Sequence, residues 1–359
     1  MNFNFYRLTL FRILLFPFSL LYGLIIIIRN YLFDKNIIKS VSFDLPIIGV
    51  GNLSAGGTGK SPMVEYLLGL LKDKYRPATL SRGYKRKTNG YLLAEAKTTA
   101  LEIGDEPMQF HRKFPDVAVA AGEERIVAIP RLLQDRPETN VIILDDAFQH
   151  RTVKAGLNIL LTLYHDLFTR DFFLPTGNLR DQKSSYKRAD VIIVTKCPFN
   201  LSGEERTRIE KEINASSHQK VFFTAIEYGH PFHIITAAEK PVTAGDEVML
   251  VCGIANPAPL KNYLSGTAKT YSQLSFADHH IYAIHDIREI RKKFNDIAAA
   301  QKMIITTEKD AVRLMEFNEE LINMPVFVLP VRHKFLFGEG MQFDYIINTF
   351  IKMFPVDKK

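Results

Sequence analysis

The chain has 359 residues, of which 47% are hydrophobic and 24% charged, with 20 glycines, 17 prolines and two cysteines. This length predicts about two domains, and the composition excludes a disordered, collagen-like or disulfide-stapled chain, so free thiols in a reducing compartment are expected. The net charge of +7 is concentrated in residues 1–40, where five Lys or Arg residues accompany a single Asp, so no nucleic-acid partner is expected, and no motif points to an obligatory protein partner.

The amino-terminal run from Leu8 to Ile28 is apolar and is interrupted by Arg12, Pro17 and Gly23. It is long enough to span a bilayer. A cleaved signal peptide is disfavoured because no small-x-small site follows, and a complete span would place Arg12 near or inside the hydrocarbon. We therefore favour a helix or helical hairpin, broken near Pro17, that lies in the cytoplasmic leaflet with its basic residues on lipid phosphates.

A glycine-rich loop follows the first predicted strand, in the run LPIIGVGNLSAGGTGKSPMVEYLLGLL. A strand, such a loop and a helix form a phosphate-binding loop (P-loop), whose backbone amides converge on a phosphate at the helix N-terminus. We expect Lys60 to reach the β- and γ-phosphates and the Ser61 hydroxyl to bind Mg²⁺. The strict pattern has glycine where this chain has Ser54. The predicted nucleotide-binding residues are Ser54, Ala55, Gly56, Gly57, Thr58, Gly59, Lys60 and Ser61.

Short, continuous apolar runs alternate with longer helical stretches along the rest of the chain. Such runs are typical of parallel strands covered by helices on both faces. The predicted strands are 45–50, 77–80, 117–120, 141–144, 157–161, 191–195 and 221–224, followed by 248–252, 267–273, 303–306 and 326–329. We predict an α/β protein with two α/β/α domains. Its parts are a membrane-associating helical segment (1–40), a P-loop domain with a parallel sheet (41–224), a short β linker (225–247) and a second α/β domain (248–359).

Two aspartates, Asp145 and Asp146, follow the predicted strand 141–144. The carboxyl end of such a strand lies beside the phosphate loop, so the pair suits Mg²⁺ held directly or through water, although a turn or helix cap explains the same residues. A GTPase would carry N/T-K-x-D after a later strand. Here Thr195-Lys196 is followed by Cys197-Pro198, so ATP is expected rather than GTP.

Two polar clusters offer acid–base groups, GDEP at residues 104–107 and FADHH at residues 276–280. An Asp hydrogen-bonded to a His is a plausible general-base pair, because the carboxylate fixes the imidazole tautomer. A turn acid and a capping Asp-His pair explain the same residues, so the spacing alone leaves both interpretations open.

Ordered blocks between residues 45 and 315 carry a family resemblance. They read GNLSAGGTGKSPMVEYL, SRGY, GDEP, AGEERIVA, VIILDDAFQHR, LPTGNLRD, GIANP, DHH and TTEKDAVRL. Together they resemble the tetraacyldisaccharide 4'-kinase family of lipid A biosynthesis.

The resemblance implies a kinase at the cytoplasmic face of the bacterial inner membrane. It would move the γ-phosphate of ATP, with Mg²⁺, to the 4'-hydroxyl of a tetraacyldisaccharide 1-phosphate lipid A precursor, giving lipid IVA. The alternative is a membrane-associated P-loop switch or chaperone that hydrolyses nucleotide.

The resemblance also implies roles for individual residues. Asp105 would be the base and His279 would orient it, and their places in different predicted domains put the site in the cleft between them. Arg125 would contact a phosphate of ATP. The implied metal ligands are Ser61, Asp145, Asp146 and Asp181, the last standing where the family usually has a glutamate.

Overall fold

The structure, a computed structural model, describes residues 12–354. Residues 1–11 and 355–359, which belong to the predicted first and last segments, lie outside the described residues. The described chain forms two β-sheets with helices on their faces, and this confirms the predicted α/β class.

The first sheet has nine strands. They are β1 (Ile47–Asn52), β2 (Pro77–Ser81), β3 (Leu92–Leu93), β4 (Ala118–Ala121), β5 (Val141–Leu144), β6 (Leu157–Leu163), β7 (Val191–Thr195), β8 (Lys220–Tyr228) and β14 (Val331–Phe335). Their order is β14, β8, β7, β6, β1, β5, β2, β4, β3. The seven inner strands pair in parallel, and β3 and β14 close the two edges in antiparallel pairing.

Helices cover both faces of this sheet. They are α2 (Lys60–Leu71), α3 (Ala100–Ile103), α4 (Asp105–Lys113), α5 (Arg125–Asp135), α6 (Gly203–Ile213) and α11 (Gly340–Met353). All six residues of β1 are buried. Ile48 packs in the core that contains Leu67 of α2, whereas Ile47 packs in the opposite core with Ile129 of α5. Burial on both faces explains why the strand reads as a continuous apolar run.

The second sheet has five strands. They are β9 (Phe232–His233), β10 (Glu247–Cys252), β11 (Thr270–Ser275), β12 (Lys302–Thr307) and β13 (Val326–Leu329), in the order β11, β10, β12, β13, β9. Only β9 is antiparallel, and it lies in the predicted linker. The helices of this part are α7 (Ala258–Thr267), α8 (Ile284–Asn295), α9 (Glu308–Leu314) and α10 (Asn318–Leu321).

The carboxyl-terminal segment departs from the predicted second domain of residues 248–359. Strand β14 pairs with β8 of the first sheet, and Phe343 and Ile347 of α11 are buried in the same core as α2. The chain therefore returns to the first sheet after Pro330. No apolar run marks this strand, because β14 alternates and exposes Arg332 and Lys334 at the sheet edge.

The first described helix is α1 (Phe16–Asp34), which has Pro17 in its first turn. Its buried positions toward the protein are mostly small or polar, namely Ser19, Gly23 and Asn30, with Phe33 buried near the carboxyl end. A Cβ at Gly23 would lie 2.7 Å from the Phe173 ring, so only glycine permits this close packing. The outer face is apolar and exposed at Leu20, Leu21, Leu24, Ile25, Ile27 and Ile28. This polarity is the reverse of that of a helix on a water-soluble protein.

Candidate active site

The phosphate loop lies between β1 and α2, as predicted. Gly59, the residue before the helix, has φ +89°, a conformation that glycine adopts without strain. The loop residues Ala55, Gly56 and Gly57 are exposed, whereas Ser54 and Thr58 are buried. The Thr58 carbonyl accepts a hydrogen bond from Thr195 Oγ1 (2.8 Å). The backbone is thus fixed from below, while the first turn of α2 presents unpaired amides to the open side.

Lys60 and Ser61 begin α2, and the Lys60 side chain faces the predicted aspartates. Lys60 Nζ lies 3.5 Å from Asp146 Oδ1. Asp146 also accepts two hydrogen bonds from Arg180, at 2.8 and 3.0 Å. Burial alone would raise the pKa of Asp146, but the Arg180 hydrogen bonds and the Lys60 charge outweigh it and hold this pKa below its usual range. Asp146 therefore carries a negative charge beside the phosphate loop.

Asp145 differs from its neighbour, because burial and the adjacent Asp146 charge raise its pKa to about 6. Its Oδ2 accepts from Ser81 (3.3 Å), and its buried Oδ1 has no hydrogen-bond partner among the described residues. An unpaired buried carboxylate oxygen is costly unless something binds it. Oxygen ligands are those that Mg²⁺ prefers, so Asp145 and Asp146, with the Ser61 hydroxyl at the start of α2, would suit this ion.

Asp181 does not join these aspartates. It is fully buried, and its carboxylate accepts from Arg188 (2.7 Å), Ser185 (3.0 Å) and Asn30 of α1 (2.6 Å). The side chain of the preceding Arg180 faces Asp146, whereas that of Asp181 faces α1. Within residues 12–354, no group of three or more His, Cys, Asp or Glu side chains is arranged to hold a metal. The described contacts of Asp181 thus attach α1 to the first sheet, and its role as a metal ligand stays a prediction.

Arg125 is 1% exposed at the start of α5. It donates a hydrogen bond to the Asp145 carbonyl, while its Nε and Nη1 have no partner among the described residues. Burial lowers the pKa of this guanidinium to about 10. A buried, charged group with free donors beside a phosphate loop is suited to an anion such as a phosphate.

Asp105 and His279, separated by 174 positions in sequence, are in direct contact. Asp105 begins α4 on the first sheet, and His279 lies in the loop after β11 of the second sheet. His279 Nδ1 is 2.8 Å from Asp105 Oδ2, and both side chains are buried. Gly104, which precedes Asp105, lies against the backbone of Gly83, just after β2. Because β2 pairs with β5, which ends directly before Asp145, this cluster lies at the same edge of the sheet as the paired aspartates.

Sequence reasoning missed two cations that complete this cluster, Lys309 and Arg313 of α9. Lys309 Nζ lies 3.0 Å from His279 Nε2, and Arg313 Nε lies 2.6 Å from Asp105 Oδ1. The block TTEKDAVRL contained them, and their i,i+4 spacing on one helix face was the available signal.

A glycine-rich loop between a parallel strand and a helix, with paired aspartates on the next strand, defines a P-loop nucleotide-binding protein of the α/β class. A family model described as tetraacyldisaccharide-1-P 4'-kinase matches residues 11–352. The chain belongs to this family.

Individual relatives agree with this assignment. The tetraacyldisaccharide 4'-kinase of Flavobacterium johnsoniae is 48% identical over 96% of this chain and 98% of its own. That of Parabacteroides distasonis is 43% identical over 96% of this chain and 97% of its own. A crystal structure of LpxK from Aquifex aeolicus in complex with ATP superposes with a TM-score of 0.74 and 30% identity, over 95% of this chain and 99% of the other.

Proposed function

We propose that this protein is an ATP-dependent kinase that phosphorylates the 4'-hydroxyl of a tetraacyldisaccharide 1-phosphate lipid A precursor, forming lipid IVA. The observation that carries the proposal is the contact of Asp105 with His279 beside a phosphate loop, in a chain that belongs to this kinase family. No feature of the described residues favours the alternative of a nucleotide-hydrolysing switch.

The phosphate side of the site would bind and neutralise the nucleotide. Lys60 and the amides of the loop would hold the β- and γ-phosphates, and the free donors of Arg125 would hold a further phosphate oxygen. Ser61, Asp145 and Asp146 would hold Mg²⁺, which when bound neutralises charge on the transferring phosphoryl group. Transfer of this kind depends on positioning and charge neutralisation more than on covalent chemistry.

The acceptor side would prepare the sugar hydroxyl. The Asp105 carboxylate would take the hydroxyl proton as the oxygen attacks the γ-phosphorus of ATP, the bond from that phosphorus to the β,γ-bridging oxygen breaks, and ADP leaves. His279 would hold the carboxylate in place through Nδ1. Asp105 comes from the first sheet and His279 from the second. The proposal therefore includes the division of the chain into a P-loop part, a linker and a second α/β part, with the site between the two α/β parts.

The acceptor assay tests this function directly. Purified protein in detergent is incubated with ATP, Mg²⁺ and the disaccharide 1-phosphate lipid, and the mass of the lipid product is measured by mass spectrometry. We expect a gain of one phosphoryl group at the 4'-position. ATP hydrolysis at the same rate with and without lipid, and no phosphorylated lipid, would contradict the proposal.

We infer that α1 places the protein at the cytoplasmic face of the membrane. By length and composition α1 is able to cross a membrane, and its exposed apolar face has no protein cover among the described residues. Its polar face is held by Ser19 to the Phe173 carbonyl (2.7 Å) and by Tyr22 to the Arg180 carbonyl (3.0 Å). A helix held in this way would lie along the leaflet from which a lipid acceptor is taken.

Vesicle partition tests this placement. We expect Leu24→Glu combined with Ile28→Glu to reduce co-sedimentation with anionic phospholipid vesicles while ATP binding stays unchanged. Ile322→Glu is the matched control, since Ile322 is similarly exposed but lies in the second part of the chain. Equal co-sedimentation of the double variant and the control would refute the membrane role of α1.

A further inference from the structure

Helix α9 places two cations against the Asp105–His279 pair. Lys309 and Arg313 are four residues apart and therefore lie on the same face of the helix. The start of α9 is fixed by Asp310, which is 1% exposed and accepts hydrogen bonds from the Gly253 amide at 3.1 Å and from Thr307 Oγ1 at 2.6 Å. The helix is thus a rigid support, and its two cations are not free surface groups.

Arg313 holds Asp105 through two nitrogens. Its Nε donates to Asp105 Oδ1 at 2.6 Å, and its Nη2 donates to Asp105 Oδ2. Its third nitrogen, Nη1, donates to the His280 carbonyl at 2.6 Å. A two-point contact of this kind fixes the plane of a carboxylate, which a single point charge does not do. Arg313 therefore joins α4 to the loop that carries His279.

The donors leave one oxygen of Asp105 partly free. Oδ2 accepts from both Arg313 and His279, whereas Oδ1 accepts only from Arg313 Nε among the described residues. Since each carboxylate oxygen has about two lone-pair sites, Oδ2 is saturated and Oδ1 keeps one site. Oδ1 is the atom of Asp105 that is able to accept a further proton.

Lys309 determines which nitrogen of His279 carries hydrogen. An ammonium group only donates, so Lys309 Nζ, 3.0 Å from Nε2, requires a lone pair there. The proton of the neutral ring is then on Nδ1, where it is donated to Asp105 Oδ2. Arg313 Nη2 also lies 3.0 Å from Nδ1, but the acceptor Asp105 Oδ2 is nearer, at 2.8 Å, so the proton on Nδ1 remains favoured. The other neighbours of the ring are Asp278, with Oδ2 3.7 Å from Nε2, and the edge-on ring of Tyr84.

We propose that Arg313 and Lys309 are positioning residues for phosphoryl transfer: Arg313 orients Asp105 so that Oδ1 faces the acceptor hydroxyl, and Lys309 fixes the Nδ1–H tautomer of His279. This inference rests on the proposed function. Neither cation is assigned a contact with the acceptor hydroxyl or the transferred phosphoryl group: Arg313 acts through Asp105, and Lys309 acts through His279. Loss of either one lowers the rate of transfer while leaving the phosphate loop intact.

Kinetics of conservative and non-conservative variants provide the first test. We expect Lys309→Met to lower kcat by about tenfold with the KM for ATP unchanged, since it misaligns one acid–base pair. Lys293→Met is the matched control, because Lys293 makes a surface ion pair with Glu289 on α8 of the same part of the chain. Equal kcat values for the two variants would overturn the role of Lys309.

The role of Arg313 is tested by substitutions that remove its two-point contact with the Asp105 carboxylate. Arg313→Lys keeps the charge but supplies a single donor point, and we expect kcat to fall by about tenfold, with Arg313→Met falling further. If Arg313→Met fails to fold, Arg313→Lys alone decides, and a normal kcat for a folded Arg313→Lys would overturn the proposal.

Histidine tautomers give a readout that a merely structural role would not change. Protein labelled with ¹⁵N-histidine is studied by long-range ¹H–¹⁵N correlation, and His279→Gln assigns the His279 signals. We expect the Nδ1–H form in the wild-type chain and loss of this preference in Lys309→Met. A wild-type Nε2–H form would overturn the proposal. This measurement needs no turnover, so it still decides if the acceptor assay fails and the proposed function falls.

Discussion

The phosphate loop and the Asp105–His279 cluster are built in different ways. The groups around Lys60 come from one sheet, at the ends of β1 and β5 and from the loop that carries Arg180. Asp105 and His279 come from two sheets and meet only because α9 and α4 pack together. A site of the first kind depends on local chain geometry, and one of the second kind on how two sheets are placed. Substitutions should therefore separate nucleotide binding from transfer.

The largest effect is expected at Lys60. Lys60→Ala removes the cation that faces both Asp146 and the bound phosphates, so we expect turnover to fall by about 10³-fold and ATP to bind more weakly. Lys72→Ala is the control, since Lys72 is exposed at the other end of the same helix. Steady-state transfer and equilibrium ATP binding measure the two quantities. Near-normal turnover would remove the phosphate loop from the chemistry.

Asp105 is expected to affect transfer alone. Asp105→Asn keeps the size of the side chain but removes its charge, and we expect kcat to fall by about 10²-fold with ATP affinity unchanged. Asp116→Asn, an exposed change after the same helix, serves as the control. If Asp105→Asn weakens ATP binding as strongly as Lys60→Ala does, the two regions do not act separately.

The sequence predicted the order of strand, loop and helix on the phosphate side, because its signals are contiguous. A buried strand, a glycine-rich loop and Lys60-Ser61 lie within one short segment, and Asp145-Asp146 follow another buried strand directly. The local physics of parallel strands then brings the two segments to the same sheet edge. The role of Asp105, by contrast, came from the family resemblance, since no local pattern distinguished a catalytic base at this position from an acidic residue in a turn.

Long-range contacts explain what the sequence did not predict. Arg313 was not singled out from the sequence, and Asp181 was expected only as an implied metal ligand; the packing of α9 on α4 and of α1 on the first sheet gives the two residues their observed partners. Strand β14 was missed for a related reason, because an exposed, alternating edge strand resembles a loop. Residues whose contacts join elements that are distant in sequence are thus the hardest to identify from a single sequence.

One buried ion cluster connects the two regions and predicts a pH effect on stability. Lys113 of α4 lies 2.6 Å from both Glu65 of α2 and Glu308 of α9. Burial and the second carboxylate raise the pKa of Glu65 to about 7 from 4.5. Between pH 4.5 and about pH 7, Glu65 therefore binds more protons in the folded state than in the unfolded state. The contribution of Glu65 to the free energy of unfolding thus falls as the pH rises through this range.

Glu65→Gln should remove the contribution of Glu65 to this decline. We expect the difference in free energy of unfolding between wild type and variant to fall by about 1 to 3 kcal/mol from pH 5 to pH 7, measured by urea unfolding. Glu204→Gln, an exposed change on α6, should leave the wild-type slope intact. If the free energy of unfolding of Glu65→Gln depends on pH as that of the wild type does, Glu65 is not the carboxyl group with the raised pKa.

The smallest effect is expected at His333, which connects β14 to the phosphate loop. Burial lowers the pKa of His333 to about 4, so the ring is neutral near pH 7. Its Nε2 lies 2.9 Å from the Gly59 carbonyl, which only accepts, so Nε2 carries the proton and Nδ1 accepts from Thr224 Oγ1 at 2.9 Å. The ring thereby fixes the residue at which the loop becomes a helix.

His333→Phe keeps a ring of similar size and removes the hydrogen bond to Gly59. Because one such bond contributes about 1 kcal/mol, we expect ATP affinity to fall about fivefold while kcat with saturating ATP changes little. Thr224→Val leaves the Gly59 contact in place and should weaken ATP binding less. A fall in kcat as large as that of Asp105→Asn would instead show that β14 affects phosphoryl transfer itself. A strand that only supports the phosphate loop affects nucleotide binding and does not slow the transfer step that follows it.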